Sequence, residues 1–256
     1  HVLTIGISDY GEKATHLRLK FADQDARDVA NALVNTQGSE FNKLGGLYAE
    51  ILPIYLHDHT ADKDGIFKAF ASIRSNMAQD STGQDLAVVL FSGHGAIIDS
   101  SFYLLPYGVN ARTPAELEAS AISAGEFQHQ VIELAKHGRV LVLLDACHSG
   151  AVTTDGLKVT PNADVLRLSV ASGNVTVLTS SKGDEFSYED ENLKHGAFTK
   201  VLIDALGRDA DLSQRGLISM SELTAYMSAH LPMLTGERQH LGVEQRFQSD
   251  LFVSGL

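Results

Sequence analysis

RVLVLLDACHSG, residues 139–150, is the stretch on which the reading of the chain turns. Val140, Leu141, Val142, Leu143 and Leu144 form an unbroken apolar run, with the length and composition of a strand covered on both faces. The run stops at Asp145, and the only cysteine of the chain, Cys147, follows. A strand that ends in a small polar turn presents its last side chains at the carboxyl edge of a sheet. In open α/β folds that edge collects ligands and catalytic groups. Residues 85–95, DLAVVLFSGHG, repeat the pattern: an apolar strand expected to end by delivering His94 between Gly93 and Gly95. The two segments together define a candidate Cys/His nucleophilic site.

Around this pair the chain alternates strand and helix patterns. Apolar runs predict strands over 2–8, 50–56, 102–106 and 175–180. Apolar residues at helical spacing predict helices over 22–34, 64–77, 125–136, 197–206 and 219–231. Ser219 and Glu222, three apart, predict a capping box at the start of the last helix. Asp23 and Asp25 stand in the first turn of the 22–34 helix, where the helix dipole is positive. Capping and function are both open readings for them. Residues 151–173 lack periodicity and read as a long loop, which inside a compact domain is usually functional or flexible. The alternation predicts an α/β fold of three layers: a mainly parallel central sheet with helices on both faces.

Composition narrows the function classes. The 256 residues are 44% hydrophobic and 20% charged, ordinary for a globular chain, and long enough for a substantial core. No apolar run approaches the roughly 18 residues that span a bilayer. A net charge of −12 disfavours nucleic acid and anionic membranes as partners. One cysteine excludes an internal disulfide framework and fits a reducing compartment, so a cytoplasmic location is expected. The chain begins inside an apparent strand, which reads as a segment of a longer protein.

A thiol at neutral pH is mostly protonated and needs a base or a positive setting to become a nucleophile. His94 can be that base if its strand lies beside the Cys147 strand. Gly93 and Gly95 would let backbone approach a bound carbonyl, with the amides of Gly95 and Cys147 as oxyanion donors. No third residue stands out as orienting His94, so the expectation is a dyad. His94, Cys147 and His148 are conceivable zinc ligands, but no C-x-x-C or H-x-x-x-H spacing supports a metal site, and none is expected. His57 and His59, flanking Asp58, read as a surface cluster. No G-x-G-x-x-G or Walker loop follows the first strand, which disfavours a nucleotide binder.

SGHG at 92–95 and DACHSG at 145–150 resemble the signature blocks of the caspase-like cysteine peptidases (peptidase C14), in a form similar to metacaspases and their prokaryotic relatives. The likeness extends through VLTIGISDY at 2–10, FADQDARDVANAL at 21–33, FYLLPYG at 102–108, VTVLTSSKGDEFSYE at 175–189 and HGAFTKVLIDAL at 195–206. It implies a single caspase-like domain over 1–256: a large-subunit part at 1–150, a loop at 151–173 and a small-subunit part at 174–256. It also implies a cysteine endopeptidase with Cys147 as nucleophile, His94 as its partner, and an oxyanion hole of the Gly95 and Cys147 amides.

Asp145 lies two residues before Cys147, on the same face if the strand stays extended, where a carboxylate can pair with a cation preceding the scissile bond. In metacaspases an aspartate at that position and one from the first helix line the S1 pocket. Asp145 and Asp25 match them, and Asp184 is a weaker third match. True caspases need arginines there, so the resemblance implies cleavage after Arg or Lys in a polypeptide substrate. No cofactor is expected to be required. Many metacaspases use calcium, but the family's calcium-binding aspartates cannot be placed here one by one; Asp184, Glu185, Glu189, Asp190 and Glu191 read more simply as a solvated loop. Lys158 and Arg167 would suit self-cleavage within 151–173. The alternative is a caspase-like interaction module, active only with regulatory partner domains outside this segment.

Overall fold

The computed structural model describes residues 1–35, 47–80, 82–99, 101–147, 173–180, 189–190, 193–245 and 251–255. The central sheet contains β1 (Val2–Gly6), β2 (Pro53–His57), β3 (Leu86–Ile98), β4 (Ser101–Leu104), β5 (Ile122–Ser123), β6 (Arg139–Cys147), β7 (Val175–Thr179) and β11 (Gly242–Gln245). Its main path runs β11-β7-β6-β3-β1-β2, with β4 on β3 and β5 on β4. The pairs β1–β2, β1–β3, β3–β6 and β6–β7 are parallel, and β11 adds antiparallel to β7. Among the described residues, two small antiparallel pairs complete the strands: β8 (Glu189–Asp190) with β9 (His195–Gly196), and β10 (Leu217–Ser219) with β12 (Phe252–Gly255). The helices among the described residues are α1 (Ala22–Asn35), α2 (Lys63–Met77), α3 (Pro114–Ser120), α4 (Ala124–Ala135), α5 (Ala197–Asp204) and α6 (Met220–Thr235).

The period of two along β3 and β6 divides the core between the two faces of the sheet. Val89 and Phe91, with Val140, Val142 and Leu144, pack with Phe70 and Ile73 of α2 and with Phe127 and Val131 of α4. Val88 and Leu90, with Leu141 and Leu143, pack with Val29 of α1, Phe198 and Leu202 of α5, and Met227 of α6. These are the three layers the alternating pattern predicts. Both strands are apolar on two faces because each face is roofed by helices.

Several boundaries move, each for a local reason. The strand read at 50–56 begins at Pro53. Proline has no N–H to donate, and it is tolerated at the first residue of an edge strand such as β2. The last helix runs beyond Leu231 through Pro232 to Thr235, where Gly236 (φ 61°) turns left-handed and donates to the Pro232 carbonyl. The helix read at 197–206 ends at Asp204 and widens into a π-helical turn over Ala205–Asp209, with Arg208 at φ 124°. The largest difference concerns β3. It does not end at His94 but continues to Ile98, pairing antiparallel with β4 once β6 has run out. His94 is therefore a mid-strand residue at the point where β3 exchanges one partner for another.

Candidate active site

β3 and β6 are adjacent at the centre of the sheet, and their register sets His94 opposite Cys147, two pairs beyond Ser92 opposite Asp145. Neighbouring strands lie about 4.8 Å apart. The two chemically distinctive positions of the sequence therefore meet side by side, and β6 stays extended through Cys147.

His94 is buried, and Tyr10 and Leu17 help to hold it. Its backbone N–H donates to the Tyr10 hydroxyl at 2.6 Å. The Tyr10 ring lies 5.2 Å from the imidazole at an interplanar angle of 31°. Its Nε2 is 2.8 Å from the Leu17 carbonyl oxygen. A carbonyl only accepts, so Nε2 carries a hydrogen and donates. In the neutral ring Nδ1 is then the nitrogen that can take a proton. A main-chain carbonyl thus orients the His94 ring, a role for which no residue stood out in the sequence. A carbonyl oxygen belongs to every residue type, so no sequence signal marks it.

The segment carrying Tyr10 and Leu17 is itself anchored. The Ser8 and Asp9 amides donate to Asp58 Oδ1 at 2.8 and 2.9 Å, and the Leu19 amide donates to the Ser8 carbonyl. Asp58 sits at φ 39°, a left-handed conformation that Asp tolerates better than most residues. Asp58, within the His57–Asp58–His59 cluster, thus holds the loop that carries Tyr10 and Leu17. Around it the Tyr55 and His57 rings stack at 5.1 Å, and His59 meets His57 edge-on at 5.6 Å. Among the described residues no group of three His, Cys, Asp or Glu could hold a metal ion.

The glycines around His94 are required by packing. A Cβ at Gly95 would lie 2.6 Å from the Phe102 ring, and one at Gly93 would lie 2.9 Å from the Tyr10 hydroxyl. The identity of Gly95 is accounted for by this close approach, whatever its amide binds.

Asp25 and Asp145 come together from distant parts of the chain. They are 2% and 1% exposed, and they converge on Gly196: a Cβ there would be 3.1 Å from Asp25 Oδ2 and 3.1 Å from Asp145 Oδ2. Asp25 accepts from His195 Nδ1 at 2.7 Å and from the Gly196 amide at 3.1 Å. Thr199 Oγ1 approaches Asp145 Oδ2 at 3.4 Å. The carboxylates thus face the N-terminus of α5, whose N-cap is Gly196. The two readings left open for Asp25 resolve against capping of its own helix. Ser8 serves α1 instead, its hydroxyl oxygen accepting the Asp23 amide at 3.0 Å. Burial pushes the Asp25 carboxyl above its usual range, against the pull of the His195 and Gly196 hydrogen bonds. The hydrogen bond to Asp25 raises His195, against its own partial burial. His195 was missed in the sequence, although it stands directly before the glycine that opens a helix.

Asp184, His148 and all of the 151–173 loop but residue 173 lie outside the described residues, and of Cys147, Glu189 and Asp190 only the backbone is described. No helix among the described residues is long and apolar enough to cross a membrane.

The caspase domain family (Peptidase C14) matches residues 1–250, and the chain belongs to that family. Among solved structures it is similar to protein GSU0716 from Geobacter sulfurreducens. That likeness covers 97% of this chain and 94% of the other, with a TM-score of 0.63 and 16% identity, and it supports the fold alone. No curated protein matches the chain.

Proposed function

We propose that the protein is a cysteine endopeptidase that cleaves after Arg or Lys. The observation that carries the reading is the register of His94 with Cys147, joined to the Nε2–Leu17 bond that assigns Nδ1 as the proton acceptor. In this reading the Cys147 thiol gives its proton to His94 Nδ1, and the sulfur attacks the scissile carbonyl carbon. The amides of Gly95 and Cys147 stabilise the oxyanion. Nδ1 then passes the proton to the departing amine as the C–N bond breaks. A water, deprotonated by Nδ1, hydrolyses the thioester and restores the thiol. The Leu17 carbonyl keeps the ring oriented through both steps and stabilises its charged form.

Two buried carboxylates, Asp25 and Asp145, at one point of the fold support a cationic P1 side chain, because buried charge demands a charged partner. Asp184 is assigned to the same pocket from the family pattern only. A basic-specific enzyme of this kind would cut itself at Lys158 or Arg167 within 151–173, and acting within a reducing cytoplasm suits its single thiol. The second reading, an interaction module that needs partner domains, predicts an inert isolated domain.

The test compares fluorogenic peptides that differ only at P1, Arg or Lys against Asp, with and without calcium, and with Cys147→Ala as control. Turnover of the basic peptides alone, abolished in the variant, is the expected result. Cleavage after Asp would overturn the roles of Asp25 and Asp145. Silence on every peptide, with no alkylation of Cys147 by a peptidyl chloromethylketone, would favour the module.

A further inference from the structure

We infer that His195 is a specificity-determining residue: it is the resident cation of the Asp25–Asp145 site, which a substrate's basic side chain must displace. The inference rests on the acid-pocket reading above and adds to it the group that competes for the pocket. Its basis is geometric. Asp25 is nearly inaccessible to solvent, and its strongest partner is the His195 ring, with Nδ1 2.7 Å from Oδ1. The other ring nitrogen faces Asp28 Oδ2 at 3.7 Å, so carboxylates of α1 flank both ring nitrogens. The His195 side chain is itself only 16% exposed. An imidazolium between two carboxylates occupies the electrostatic role that an arriving guanidinium or ammonium would take.

Other charges bear on the ring. α5 contributes Lys200, which repels a proton on His195 and is itself paired with Asp204. β6 contributes Asp145, on the far side of Gly196. β8, paired with β9, sets the backbone of Asp190 opposite that of His195. α1 supplies Asp25 and Asp28. The balance is acidic, consistent with the upward shift of His195 caused first by its bond to Asp25.

Protonated His195 neutralises Asp25 and weakens the site for an external cation; neutral His195 leaves that charge to the ligand. Cation binding and His195 protonation are therefore linked with opposite sign. One exchanged proton limits the effect to about tenfold in Kd per pH unit below the His195 pKa.

The experiment uses Cys147→Ala protein, which cannot turn over substrate, and agmatine as the guanidinium probe, titrated by calorimetry from pH 8 to pH 6. The expected result is an agmatine Kd that weakens severalfold as pH falls, a slope that His195→Gln flattens, and a His195 ring resonance in NMR whose titration moves to lower pH when agmatine is saturating. Gln can still donate to Asp25, and a matching thermal midpoint for the variant shows that the fold is kept. A pH-independent Kd, absent agmatine binding, or an unchanged slope in His195→Gln (which would assign the titration to Asp25) overturns the inference. The peptidase reading fails separately. If Arg peptides are not cleaved while the linked titration is observed, His195 stands and the peptidase falls; cleavage without the linkage has the reverse meaning.

Discussion

Tyr10 illustrates how much of the proposed catalytic geometry rests on residues that do no chemistry. Its hydroxyl accepts the buried His94 N–H, and its ring lies against the imidazole. Tyr10→Phe keeps the ring but removes the acceptor, and a buried amide that loses its partner costs about 1–3 kcal/mol. The expected outcome is that loss in chemical denaturation together with a lower kcat on the basic peptides, KM being less affected. His195 yields a pH prediction of definite sign. Its folded-state pKa lies above the ordinary 6.5 because of the bond to Asp25. Its stabilising contribution is therefore complete below pH 6.5 and is lost as pH rises through the higher folded value. Burial raises Asp25 in the same direction. The unfolding free energy of the wild type should decline across that window relative to His195→Gln, and parallel pH profiles for the two proteins would exclude the pair as the cause.

The start of α6 shows a capping box that the sequence made legible and an elaboration that it did not. Ser219 accepts from the Glu222 amide, and Glu222 reaches back to the Ser219 amide and hydroxyl. The same carboxylate also takes the Ser213 amide and hydroxyl, with Arg215 alongside. Burial pushes Glu222 up, but these hydrogen bonds outweigh it and hold the carboxyl at about 2. Its stabilising effect is thus present above pH 4.5 and lost as pH falls through about 2. Glu222→Gln should cost roughly 1 kcal/mol near neutrality and flatten acid denaturation over that range, both readable from urea midpoints against pH. The spacing of Ser219 and Glu222 is local and could be read directly. The participation of Ser213 depends on how the preceding turn folds back, and nothing in a local pattern encodes it.

For the molecule as a whole, the sheet separates two apolar clusters while joining them through shared strands. Phe70 belongs to the α2–α4 side and Phe198 to the α1–α5–α6 side, both fully buried. Truncation of either to Ala should cost about 3–5 kcal/mol. Because the clusters lie on opposite faces, the two costs should add to within about 0.5 kcal/mol in the double variant. Strong non-additivity in equilibrium denaturation would mean that the faces communicate by more than their common strands.

The two apolar runs and the alternation of strand and helix periods were enough to specify a three-layer α/β fold and to single out His94 and Cys147. Each of those signals is local: a buried strand must be apolar along its length, and reactive side chains stand out where such a run breaks. The family resemblance added Asp25 and Asp145 as a pair. Other features required the chain to close on itself. The mid-strand position of His94 follows from β4 replacing β6 as the partner of β3. The Leu17 carbonyl at Nε2, Asp58 under the Ser8–Asp9 turn, and His195 on Asp25 join residues 77, 50 and 170 positions apart. Such contacts arise from where helices and loops dock on the finished sheet. Backbone carbonyls and cross-chain hydrogen bonds leave no periodicity behind, so they become visible only when the fold brings the partners together.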